Sequence, residues 1–194
     1  MSDPWYAVAA ATDPVTQGDL IADCPLLGWR PAGVVGALDA GQTFDLTSLA
    51  EGFLRDTVVM SQACDLEHNK VANVVLCPAL PLSAFRQSWE ADAKARGQNP
   101  TPKGWRRVLE DIAAGYAWNQ SLLAAHDDPD TGTEIRVVFF HELYTLPRSV
   151  LEAVLANRGR PRLRLLPPYR EHLSQAFARF FMRVGLPQAV ALPG

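Results

Sequence analysis

The chain has 194 residues, 48% of them hydrophobic and 20% charged, with a formal net charge of −3. That composition suits a single globular domain over 1–194 with one sizeable core, and it excludes a disordered or fibrous chain. No run of roughly 18 apolar residues occurs, which excludes a membrane-spanning helix, and no membrane partner is expected.

The first eleven residues contain Asp3 and no Lys or Arg, so they do not read as a signal peptide. Gly18 and Asp19 turn the chain into a first strand over 17–27, "QGDLIADCPLL". Residues 30–53 are rich in loop signals, with Gly33, Gly36 and Gly41 and a short strand expected near Thr43–Leu46. "RDTVVMSQ", 55–62, has the β-branched content of a buried strand, and "KVANVVLCPAL", 70–80, is another, stopped by Pro78 and Pro81. The "DLEHN" between them is short enough for a hairpin connection.

The period then changes from strand to helix. "LSAFRQSWEADAKARG" reads as a helix, with Ser83 as its cap and Gly97 past its end. A second helix is expected over 104–126, where Trp105, Leu109, Ile112, Tyr116 and Leu123 form a core stripe opposite Arg106, Arg107, Glu110 and Asp111. Together these make a helical insertion over 83–125. "AHDDPDTGT" is a hydrophilic turn, "EIRVVFFHELYTL" a strand, and "SVLEAVLANRG" a helix stopped by Gly159. In "RPRLRLL", Arg160, Arg162 and Arg164 alternate with Pro161, Leu163 and Leu165, which predicts a half-exposed strand with an arginine face. A C-terminal amphipathic helix over 167–185 carries Leu173, Ala176, Phe177, Phe180, Phe181 and Val184 on one side, so it should pack on the core; Arg179 and Arg183 share its rim. Few strands lie far enough apart for parallel βαβ units, so the expected class is α+β, a small and mostly antiparallel β core decorated by helices.

Three landmarks resemble the MazF/PemK toxin family. They are Gly18-Asp19-Leu20-Ile21, which opens the first strand; Arg55-Asp56-Thr57-Val58-Val59-Met60-Ser61; and Val74-Val75-Leu76-Cys77-Pro78. The resemblance spans roughly residues 16–82 and, more loosely, 134–158. It implies an SH3-like barrel, homodimerisation, an antitoxin-like partner, and metal-independent cleavage of single-stranded RNA with Arg55 at the scissile phosphate. Asp56 replaces the family's proline, and Leu80, Pro81 and Leu82 stand where its catalytic threonine belongs, leaving Ser83 as the nearby hydroxyl. The insertion and the tail have no counterpart in the compact toxins. "SQACDL" and the C-terminal helix also resemble segments of a bacterial family without a named activity.

Arg55 can offer a bidentate contact to phosphate, or pair with Asp56 or Glu51. Ser61, Gln62, Cys64 and Asp65 follow a buried strand, where sites are commonly built; Gln62 and Asp65 are taken with Arg55 as the catalytic candidates. Cys64 with His68 could form a nucleophile and base, or Cys64 could fill an apolar gap while Ser61 and Asp65 bind turn amides. Zinc on Cys64, His68 and Cys77, with Cys24 or His141 as fourth ligand, lacks the tight pairs of structural sites, so no metal and no cofactor are expected. His141 and Glu142 read as an acid–base pair or as strand-end hydrogen bonds. Three cysteines at no framework spacing indicate a reduced, cytoplasmic protein. Residues 134–194 hold nine Arg against four Glu, on an acidic body. Such a segment binds nucleic acid or pairs with its own body. For the first option Arg160, Arg162, Arg164, Arg179 and Arg183 are the phosphate contacts, with Tyr169 and Trp105 stacking on bases. The alternative function is a non-catalytic interaction module, an accessory subunit of a bacterial multi-protein system.

Overall fold

The computed structural model describes residues 4–30 and 49–182. Among these the elements run β1 Tyr6–Ala9, β2 Leu20–Trp29, β3 Ala50–Val59, α1 Ala63–Glu67, β4 Asn73–Pro81, α2 Leu82–Ala95, α3 Pro102–Ala113, β5 Gln120–Leu123, β6 Arg136–Phe139, β7 Tyr144–Pro147, α4 Arg148–Arg158, β8 Arg162–Leu165 and α5 Tyr169–Phe181. The strand expected near Thr43–Leu46, and Arg183, Val184, Gly185 and Pro187, lie outside the described residues.

The fold is α+β. The main sheet is antiparallel, ordered β2-β3-β4-β6-β5, with β7 also on β4, and β1 pairs with β8. β3 lies between β2 and β4 and is antiparallel to both. The expected barrel is corrected: the sheet is open. A barrel needs backbone pairing around the whole ring. Here β1 has four residues and its ladder goes to β8, and toward the far end of the sheet it offers side-chain contacts in place of a ladder, among them Tyr6 Oη donating to Ala124 O at 2.7 Å.

The apolar runs at the ends of β3 and the middle of β4 are explained by burial on both faces, where strands stop alternating. Val58 and Cys77 are paired and face a core closed by β8 and α5. Val59 and Leu76 are paired and face a second core closed by α1 and α4. A third cluster joins Phe85 of α2 and Ile112 of α3 to Val137.

Two elements depart from expectation. The helix expected over 104–126 ends at Ala113, because Gly115 takes a left-handed φ of +74° that stops the helix. Leu122 and Leu123 then pair with Val137 and Arg136 as β5, and Tyr116 is left exposed, so the insertion is not helical to its end. The strand expected over 134–146 is broken. Ala79 pairs with Val138 and Leu76 with Tyr144, three steps on β4 against six on its partner. The extra residues bulge out between β6 and β7. Phe140 turns into the core, fully buried, while His141 is exposed and Glu142 half-buried.

Candidate functional site

The bulge brings three ionisable groups together. Arg55, in mid-β3, donates from Nη1 to Glu142 Oε2 at 2.5 Å, and His141 Nε2 lies 3.9 Å from Glu142 Oε1. The Arg55 and Glu142 side chains are 37% and 36% exposed, so the pair is open to a ligand. The Arg55 guanidinium also sits over the Phe53 ring, 5.6 Å from its centroid, which restrains its direction. The partners considered from sequence are engaged elsewhere: Asp56 binds Arg136 Nη1 at 2.6 Å, and Glu51 lies 3.5 Å from Arg30.

Gln62 and Asp65 do not join this cluster. They lie seven and ten residues beyond Arg55, and among the described residues neither contacts it. Asp65 is 3.9 Å from Lys70. The stretch from Ser61 to Lys70 is a structural corner. Ser61 Oγ accepts from Val75 N at 2.8 Å, Leu66 is buried, and Arg148 Nη1 donates to Leu66 O and Asn69 Oδ1. Cys64 is exposed, and its Sγ lies 3.8 Å from Gln62 Oε1 and from Asp65 Oδ1. Cys24 and Cys77 are buried. Burial pushes the Cys77 thiol up to about 12, with the Glu142 charge adding to it. Burial also raises Cys24, against smaller opposing effects of a Thr57 hydrogen bond and the Arg158 charge. Both thiols are therefore protonated and inert at neutral pH. Among the described residues no three His, Cys, Asp or Glu side chains are grouped to hold a metal ion.

The expected arginine face on β8 is corrected. Asp19 is fully buried and accepts from Arg162 Nε at 2.8 Å, from Arg164 Nε at 2.6 Å and Nη2 at 3.0 Å, and from Thr16 N at 3.1 Å. Arg162, 5% exposed, also donates to the carbonyls of Ala10, Asp13 and Pro14. The hydrogen bond to Asp19 raises the Arg164 pKa, fixing its charge. Alternation predicts an exposed face only when that side of a strand meets water, and here Asp19 and the carbonyls of Ala10, Asp13 and Pro14 cover the Arg162 and Arg164 side chains. The Gly18-Asp19 pair follows from this contact. Gly18 has φ +84°, and a Cβ there would stand 2.9 Å from Leu165 Cβ. Arg136, Arg162 and Arg164 thus pair with the acidic body.

Arg160 and Arg179 are exposed and carry no ion pair among the described residues. The aromatic residues expected to stack on bases are packed instead: Tyr169 stacks on Trp5 at 4.0 Å, and Trp105 lies against Phe85 and Trp89. Sequence reasoning named His141 and Glu142 but not their meeting with Arg55; the cue was an apolar "VVFF" followed by two polar residues in a strand too long to be straight. No described helix is long and apolar enough to cross a membrane. No family model, no curated protein and no solved structure matches the chain.

Proposed function

We propose that the chain is a cytoplasmic, MazF/PemK-like protein that binds single-stranded RNA and cleaves it without a metal, using Arg55, Glu142 and His141. The observation that carries this reading is the meeting of a guanidinium, a carboxylate and an imidazole, all open to solvent, at one strand bulge. Bulges commonly re-aim side chains beside functional sites. In the reaction, Glu142 takes the proton of a ribose 2′-hydroxyl, and that oxygen attacks the adjacent phosphorus. The bond from phosphorus to the 5′-oxygen breaks, and His141 as imidazolium protonates the leaving oxygen. The products are a 2′,3′-cyclic phosphate and a 5′-hydroxyl. Arg55 steadies the charge that develops on the phosphoryl oxygens. Its Nη1 is engaged with Glu142, while Nε and Nη2 make no hydrogen bond to another described residue, so they can take a phosphate. The catalytic places given from sequence to Gln62 and Asp65 pass to Glu142 and His141. Arg160 and Arg179 are the arginines still available to the RNA backbone.

Incubation of end-labelled RNA with wild type, Arg55→Ala, Glu142→Gln and His141→Ala tests this. Each substitution should slow cleavage by about a hundredfold or more. Cleavage unchanged in all three variants would refute the assignment.

A second reading is an interaction module, and the β2–β3 hairpin supports it. Leu27 pairs with Gly52, Trp29 with Ala50, and Leu54 with Pro25, which sets Leu27, Trp29 and Leu54 on one outward face. They are 74%, 64% and 63% exposed. Such a face suits an antitoxin-like partner, another subunit of a complex or a second copy of the chain. Binding of neither RNA nor its cleavage by the purified chain would make this the better reading.

A further inference from the structure

We propose that the cavity between the bulge of β2 and the start of β8 is a binding site for a nucleoside monophosphate. Its volume is about 830 Å³, within the range of small-molecule sites. One wall is the bulge at Ala22 and Asp23, where Asp23 has φ +48°. Two side chains hold that wall. Asp56 Oδ1 accepts from Asp23 N at 2.8 Å, and Arg158 donates to Ala22 O and Asp23 O, both at 2.6 Å. The wall is therefore fixed before any ligand enters, which limits the ordering needed on binding.

Two observations point to a ligand and to its chemistry. First, Arg158 bonds carbonyls rather than a carboxylate, and Arg160 has no hydrogen bond or ion pair among the described residues. Two guanidinium charges on one cavity suit a phosphate. Second, Asp23 and Asp130 line the same cavity without an ion pair among the described residues, and suit the N–H donors of a base. A ligand with a phosphate at one end and ring or exocyclic N–H groups at the other satisfies both sets. Arg55, Glu142 and His141 are not on this wall, so the site stands apart from the RNA-cleaving cluster.

Isothermal titration of the full chain with AMP, GMP, CMP and UMP tests the site, with guanosine and inorganic phosphate as half-ligands. At least one nucleotide should bind one to one and more tightly than either half. Arg160→Gln should weaken it about tenfold or more, since a charge-assisted contact is lost, without lowering the melting temperature. Asp130→Asn should weaken nucleotide binding while leaving the binding of inorganic phosphate unchanged. Arg55→Ala should bind the nucleotide as wild type does, even where it abolishes cleavage of RNA. No binding at millimolar nucleotide, phosphate alone binding as tightly as any nucleotide, or affinity unchanged in both cavity variants would each overturn the assignment.

Discussion

Asp19 carries no exposed surface and is shared by two guanidiniums. Asp19→Asn keeps the shape but leaves Arg162 buried with its charge unopposed. Removing one partner of a buried pair costs about 3–5 kcal/mol, so denaturant unfolding should register a loss of that order. A loss under about 1 kcal/mol would mean that the carbonyls of Ala10, Asp13 and Pro14 suffice to hold Arg162. The cysteines offer a second test. One thiol, Cys64, should react with an aromatic disulfide reagent in the folded protein, and all three after unfolding. Because Cys77 is raised from 9.0 to about 12, the unfolded chain loses its proton first on alkalinisation. Stability should therefore be complete below pH 9.0 and decline as pH rises from there toward about 12. Rapid reaction of two or three thiols in the folded protein would contradict the burial of Cys24 and Cys77. At this scale the opening Gly18-Asp19 pair was legible as a strand entry, but its partners lie 143 and 145 residues away and no local pattern announces them.

Among the elements, α5 was the most legible, because an apolar stripe at helical spacing is a local signal that packing reinforces. Leu173 is buried, and Phe177 and Phe180 pack on the core through Phe140, while Phe181 is 56% exposed. Leu173→Ala should cost about 2–5 kcal/mol in denaturant unfolding, and Phe181→Ala less than about 1 kcal/mol. Equal losses would mean that the helix packs in another rotation. The end of α3 was less legible. The stripe continued past Gly115 to Leu123 by accident of spacing, and what turned 120–123 into a strand was pairing with β6, a contact across the chain. The β6–β7 bulge was illegible for the same reason: register is a property of two strands, and "EIRVVFFHELYTL" alone does not reveal that β4 offers too few positions to receive it.

For the whole molecule, the mostly antiparallel α+β class followed from strand content and the lack of room for parallel βαβ units, whereas closure of the sheet did not. Whether two ends meet depends on tilt and stagger summed over every strand, and here a Tyr6 side chain stands where a ladder would be needed. The site was legible in parts. Arg55 came from the resemblance, and His141 and Glu142 from their place after a buried run. Gln62 and Asp65 lie apart from Arg55, and a reactive-looking cluster after a strand is also what a hydrogen-bonded corner looks like. The central claim is that Arg55, Glu142 and His141 cleave RNA through its own 2′-hydroxyl. Its most direct test is a single-turnover assay in excess EDTA, comparing an RNA oligonucleotide with the same oligonucleotide made entirely of 2′-deoxy nucleotides. The account predicts 2′,3′-cyclic phosphate ends from the first and no cleavage of the second. An intact RNA, or equal cleavage of both, would contradict it.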